Sequence, residues 1–297
     1  MRRKLLVSGA AGFVAGSVIV HALHEWQVYA VDKMPGPASG DNLTSLTLDL
    51  GDAGQLSENF RKIDPHAVIH TAALADIDYC QANQDEAEKI NVGATKILAG
   101  LCKENGAKLI FCSTDTVFSG REGNYSETDS PHPLNFYADS KIRAENVIRE
   151  TCSNSVIARL SLVMGLPVMG SGNSFVTRTL ASLRSGEKVR FPQNEIRTPV
   201  DVITVGRALV ELAGNEFTGI IHLAGNDRIN RYDMARQIAR HLGFPPDMVV
   251  AVDSNAIAGR ARRPDDVSLN NQRAKKILTT PMLSLAEGIK QAIEEKL

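Results

Sequence analysis

Cysteine is scarce: Cys80, Cys102, Cys112 and Cys152 stand far apart with no CxxC pair. That spacing argues against a zinc site and a disulfide framework and fits a reducing compartment, so a cytoplasmic location is expected. Charge of one sign is also missing. The 33 Lys and Arg residues offset 34 Asp and Glu, and the basic ones are scattered, so no stripe recruits nucleic acid. No apolar run is long enough to span a bilayer, which leaves no membrane partner to expect. The basic start, Arg2-Arg3-Lys4, looks like the opening of a secretory signal. The apolar residues after it break at Ser8-Gly9-Ala10-Ala11-Gly12, and no signal is expected. Low-complexity tracts and internal repeats are absent, and a 43% hydrophobic, 23% charged composition is that of an ordinary globular chain. No carboxylate cluster marks a metal site.

What is present is an alternation. Leu5–Val7, Val28–Val31, Leu46–Leu48, Ala67–His70, Lys108–Cys112 and Ser155–Arg159 read as short strands. Helical spacing falls between them, at Phe13–Leu23, Ala53–Arg61, Asp85–Glu104 and Phe136–Glu150. Strands separated by helix-length segments imply parallel crossovers, so an α/β, Rossmann-type doubly wound parallel sheet is expected. The rhythm loosens after Arg159, through a Gly/Pro/Met loop at 165–172, a helix near Phe175–Arg184 and a stretch at Arg197-Thr198-Pro199. Val202–Ala213 and Ile220–Leu223 look like a return to the sheet. The division expected is a dinucleotide-binding domain over 1–165, rejoined by about 200–225, and a smaller substrate-binding lobe, interleaved, over 166–297.

Gly9-Ala10-Ala11-Gly12-Phe13-Val14-Ala15 lies between the first strand and the first helix, where a glycine fingerprint is meaningful. Gly9 permits the tight turn. Gly12, with Phe13 and Val14 behind it, lets the backbone approach a pyrophosphate at the helix N-terminus. Ala15 is small enough for the third glycine position. Asp32 closes the second strand, where a carboxylate can accept from adenosine ribose hydroxyls, which favours NAD(H) over NADP(H). Lys33 beside it could instead accommodate a 2′-phosphate. Asp49-Leu50 suits an adenine, although Asp49 could equally cap the next helix. Thr71-Ala72-Ala73 are small residues that let the chain pass close to a cofactor, and His70 reads as a packed or capping histidine.

Tyr137 and Lys141 are four apart on a predicted helix and project from one face. An ammonium one turn away stabilises a phenolate and can lower the tyrosine from its usual value of about 10. Lysine can also reach a nicotinamide ribose. Thr114, after the fifth strand, supplies a hydroxyl able to polarise the same carbonyl. Asn91, on the preceding helix, could support a water or a backbone contact near the lysine.

These segments together resemble the extended short-chain dehydrogenase superfamily and, within it, the dTDP-4-dehydrorhamnose reductase family. His70-Thr71-Ala72-Ala73 with Asp78, Asn91-Val92-Gly93-Ala94-Thr95, Ser113 through Gly120, Tyr125-Ser126-Glu127, Pro133 through Tyr137, Ser140-Lys141 and Arg262-Arg263-Pro264 carry the likeness. The resemblance implies reduction of a 4-keto group on a nucleotide-linked deoxysugar, with Thr114, Tyr137 and Lys141 catalytic. It implies substrate contacts from Thr114, Asp115, Leu162 and Arg263. Thr116 stands where the family usually has tyrosine, Leu162 where an aromatic is frequent, and Ala138 where glycine is usual. The family also contains a non-catalytic regulatory subunit of methionine adenosyltransferase, and the superfamily contains nucleotide-sugar epimerases and dehydratases; both remain alternative expectations. Superfamily members often dimerise through helices flanking the sheet, so a homodimer is compatible with the sequence, although those helices show no exposed apolar seam.

Overall fold

The computed structural model describes residues 2–170, 174–256 and 259–293; positions 171–172 of the expected loop lie outside them. Six strands open the chain: β1 Arg3–Ser8, β2 Trp26–Asp32, β3 Leu43–Thr47, β4 Ala67–His70, β5 Lys108–Thr114 and β6 Ser155–Leu160. A seventh, Gly219–Leu223, pairs with β6. All pair in parallel, in the order Gly219–Leu223, β6, β5, β4, β1, β2, β3. Strand order reverses between β1 and β4, and the crevice at the carboxyl ends there is where a doubly wound sheet binds ligands.

The sheet is apolar on both faces because helices cover both. One core joins Leu5, Val7, Val28 and Ile110 to Val18 and Ile19 of helix α1 (Phe13–Ala22) and to Val205, Leu209 and Leu212 of the helix Val202–Gly214. That later helix crosses α1 closely, since a Cβ at Gly206 would strike Ser17. The other core joins Leu6, Val68 and Phe111 to helix α2 (Ala53–Ile63) and to residues of 94–105 and 136–151. Asp52 caps α2 by accepting from the amides of Gly54 and Gln55.

The predicted single helix over 85–104 is divided. Two short helices, α3 Ile77–Ala82 and α4 Gln84–Ala87, lead into a π-helical turn at Glu88–Gly93, and α5 runs from Ala94 to Asn105. The extra residue of a π turn rotates one side chain out of register. Here it carries Asn91, which is almost fully buried. Helix α6, Phe136–Thr151, starts at Asn135, whose side chain accepts from the Ala138 amide.

The remaining segments form small two-stranded pairs: Val163–Met164 with Val200–Asp201, Ile196–Arg197 with Ile229–Asn230, and Val189–Pro192 with Val249–Val252. Helices Phe175–Arg184 and Arg231–His241 pack on them around Met234, Ile238 and Phe191. Among the described residues no helix is long and apolar enough to cross a membrane.

Candidate active site

The turn after β1 is shaped by contact. Gly9 has φ +73°, and a Cβ there would lie 2.7 Å from the Ala72 amide. Its carbonyl accepts from Gly12 N at 2.8 Å. Gly12, at the N-cap of helix α1, offers no side-chain cap, so first-turn amides are left for an anion. Gly9, Gly12, Asp32, Lys33, Asp49, Leu50, Thr71, Ala72 and Ala73 line one cleft of about 200 Å³. Those residues fit an extended dinucleotide: a cradle closed to a Cβ, free amides and a carboxylate at the second strand. Phe13 is not in that cleft; its ring packs with Val202, Ile203 and Ala292, leaving only its backbone to an anion. Val14 lines the neighbouring cavity.

Asp32 has a structural task besides any ribose contact. Its Oδ2 accepts from Ala11 N at 3.0 Å and its Oδ1 from Met34 N at 2.9 Å, which ties the glycine turn to the end of β2. Each oxygen retains a second lone pair. Asp49 accepts from Gly51 N at 2.8 Å and does not cap α2, which Asp52 does. Thr71 Oγ1 donates to the Ser8 carbonyl at 2.7 Å.

His70 is a packed histidine. Thr95 Oγ1 donates to the Asn91 carbonyl at 2.7 Å, so His70 Nε2 must donate to Thr95 at 3.0 Å, leaving Nδ1 to accept from Ser8 Oγ at 2.6 Å. Burial, with the nearby Lys141 charge, lowers it to about 3. Asn91 does its work through backbone: Oδ1 accepts from Leu74 N at 2.8 Å, while Nδ2 donates to Leu74 O and to Ser140 Oγ. It pins the loop after β4 to α6.

A second cavity, of about 510 Å³, is lined by Val14, Ser113, Thr114, Asp115, Thr116, Tyr137, Leu162 and Arg263 among others. Consecutive residues of the loop after β4 line the two cavities, Leu74 the first and Ala75 the second. Thr114 Oγ1 donates to Asp115 Oδ1 at 3.3 Å and lies 3.0 Å from Thr116 Oγ1. Burial pushes the Tyr137 phenol well up, with its hydrogen bond to Thr114 working the other way. The lowering expected from Lys141 is therefore not found, because desolvation outweighs any help from the ammonium. A phenol held neutral is a proton donor. Lys141 is almost fully buried, its Nζ 3.9 Å from the Phe111 ring centroid. Burial lowers it to about 8, against Cys112 and Glu145.

Arg263, expected at the substrate, is held by Asp78: Nη1 reaches Oδ1 at 2.5 Å and Nη2 reaches Oδ2 at 2.8 Å. This pair holds Asp78 below the usual carboxylate range. The sequence reading missed the charges that share this cavity with Tyr137. Arg178, Arg197, Arg231 and Arg260 line the same cavity with Glu195. Arg197 is 4% exposed and Glu195 1%. Glu195 Oε2 is 3.0 Å from Arg231 Nη1 and 3.6 Å from Arg197 Nη2, and Arg197 Nε is 3.7 Å from Asp115 Oδ2. Burial works against the Glu195 charge, but Arg231 and Arg197 outweigh it and hold the carboxyl low. Burial pushes Asp115 up, against Arg197 and Ser161. The available signal was only Glu195 and Arg197 two residues apart in a polar stretch; their shared cavity depends on tertiary structure. Among the described residues no group of three or more His, Cys, Asp or Glu could hold a metal ion.

The chain is 29% identical over 262 residues to the probable low-salt glycan biosynthesis reductase Agl14 of Haloferax volcanii, covering 86% of this chain and 87% of that one. It is 27% identical to methionine adenosyltransferase 2 subunit beta of Danio rerio, covering 91% and 84%. Its fold is similar to the crystal structure of a dTDP-4-dehydrorhamnose reductase from Bacillus anthracis in complex with NADP, with a TM-score of 0.87 at 24% identity over 98% and 99% of the chains. The family described as the RmlD substrate binding domain matches residues 3–297, and this chain, an α/β protein with a seven-stranded parallel sheet, belongs to that dTDP-4-dehydrorhamnose reductase-like family.

Proposed function

We propose that this protein is an NAD(P)H-dependent reductase of a 4-keto group on a nucleotide-linked deoxysugar. The observation that carries the reading is a single cavity lined by Thr114 and Tyr137 together with several arginines, next to a cleft whose lining fits a dinucleotide. Guanidinium groups suit a diphosphate because their planar forks match its oxygens.

Gly9, Gly12 and the α1 amides would hold the pyrophosphate of the cofactor, Asp32 or Lys33 its adenosine ribose, and Asp49, Leu50 and Thr71 through Ala73 its adenine side. The reduced nicotinamide, when bound, supplies the hydride. Tyr137 holds a proton on its phenol oxygen and gives it to the carbonyl oxygen as that oxygen becomes an alkoxide. Thr114 offers its hydroxyl to the same oxygen. Lys141, as an ammonium, favours the tyrosinate left behind. Asp115, Leu162 and Arg263 would contact the sugar nucleotide, with Arg178, Arg231 and Arg260 taking its diphosphate. The NADP in the Bacillus anthracis structure supports a nicotinamide dinucleotide here; Asp32 favours NAD(H).

The test is oxidation of NADH and of NADPH by the purified protein with a dTDP-4-keto-6-deoxysugar. Turnover is expected with wild type, and Tyr137→Phe should lower kcat by at least about 100-fold while leaving cofactor Kd within about twofold, since only the hydroxyl is lost. Wild-type turnover retained by Tyr137→Phe refutes the assigned donor. The match to methionine adenosyltransferase 2 subunit beta favours a second reading, a dinucleotide-binding regulatory subunit. Cofactor binding with no keto-sugar turnover and stable association with another chain would select it.

A further inference from the structure

Beneath the pocket lies a buried charge cluster that none of these roles uses. Glu145 sits on α6 four residues after Lys141, on the same side of the helix. Its Oε1 accepts from Ser113 Oγ at 2.5 Å and from Arg159 Nε at 3.1 Å, and its Oε2 from Arg159 Nη2 at 2.7 Å. All three residues are buried. They come from three elements: Ser113 from β5, Arg159 from β6 and Glu145 from α6. Ser113 directly precedes Thr114, and α6 carries both Tyr137 and Lys141.

A buried ion pair is weak support for stability, because desolvation offsets its attraction and apolar replacements are often as stable. What the forked guanidinium does supply is direction, since two parallel hydrogen bonds fix a carboxylate in plane. The Arg159 guanidinium is itself 5.2 Å from the Phe118 ring centroid, which restrains it further.

Electrostatics adds a second argument at the same place. The groups that face Lys141 are His70 on β4, Phe111 and Cys112 on β5, and Tyr137 and Glu145 on α6. Burial lowers His70 to about 3, pushes the Cys112 thiol up to about 12 and pushes the Tyr137 phenol up as well. Of these groups, Glu145 is the one with an ion-pair partner, Arg159 Nη2 at 2.7 Å.

We propose that Glu145 is a positioning residue: clamped by Ser113 and Arg159, it locks α6 against β5 and β6, so that Lys141 and Thr114 keep one relative geometry and the lysine keeps its charge. The catalytic consequence rests on the reductase reading; the effect on Lys141 does not.

Two readouts in the full-length protein test it: the Lys141 titration, followed by NMR of ε-carbon-labelled lysine with Lys141→Met for assignment, and keto-sugar turnover. Glu145→Gln should lower the Lys141 midpoint by about one pH unit. It should reduce kcat by about tenfold or more with little change in KM, and Glu145→Asp should recover part of both. The Glu145→Met/Arg159→Met pair, which leaves no unpaired charge, should fold yet retain a kcat defect. A Lys141 midpoint unchanged in Glu145→Gln, or wild-type kcat and midpoint in the double variant, overturns the proposal. If the wild type reduces no keto-sugar, the reductase reading fails, while the Lys141 titration still decides the role of Glu145.

Discussion

Lys141 shows how far a single residue's chemistry follows from spacing and where it departs. Tyr137 and Lys141 four apart on one helix were legible in the sequence, because helical periodicity alone puts them on one face. Their electrostatic state was not legible, since it depends on Phe111, Cys112 and the burial of α6 against the sheet. The same holds for Arg197, which nothing local marks as a neighbour of Asp115 and which also pairs with Glu195. The pH dependence follows in sign from the lysine. Burial lowers its charged form to about 8, so an activity that needs the ammonium is full below that value and declines as pH rises through it. Initial rates of keto-sugar reduction at saturating cofactor should be flat from about pH 6 to 7 and fall roughly tenfold per pH unit above about 8. Rates that stay level to pH 10 would show that the charge on Lys141 is not required.

At the scale of elements, the clearest departure from sequence expectation is the segment after β4. Apolar spacing over 85–104 supports one helix, yet the chain forms α4, a π turn and α5. The reason is tertiary: Asn91 satisfies both backbone groups of Leu74 and reaches Ser140, and the wider turn delivers its side chain there. Periodicity cannot report a one-residue insertion whose reward is a hydrogen bond to a distant loop. Strands β1, β4 and β5 were read closely, because continuous apolar runs bounded by glycine or polar residues leave few alternatives. Asn91→Ala leaves the Leu74 amide without its partner and the Leu74 carbonyl with only the weaker Cys80 thiol donor. It should cost about 1–3 kcal/mol of unfolding free energy, measured by urea denaturation. It should also weaken dinucleotide binding, because Leu74 and the residues before it line that cleft. A variant as stable as wild type, with unchanged cofactor affinity, would mean that the π turn is not held for Asn91.

Across the whole molecule, two neutral histidines sit in the sheet on different strands. His70 lies on central β4, bonded to Ser8 and Thr95. His222 lies on the edge strand Gly219–Leu223, its Nδ1 3.1 Å from the Tyr125 carbonyl, and it meets the Phe118 ring edge-on at 5.9 Å. Burial lowers both to about 3, with Lys141 adding to the effect at His70 and Arg159 at His222. The folded chain therefore refuses protons that the unfolded chain accepts near pH 6.5. Their contribution to stability is complete above about pH 6.5 and is lost as pH falls from there toward about 3. Both histidines belong to one seven-stranded sheet, so both losses should fall on the transition that unfolds it. Wild-type Tm should drop through that window more steeply than that of His70→Gln/His222→Gln, so the gap between them narrows as pH falls from 7 to 4. The double variant is expected to be less stable at pH 7, where it has lost packing and hydrogen bonds, which makes the shrinking gap the informative quantity. A gap constant across that range would mean that the two imidazoles do not remain neutral in the folded sheet.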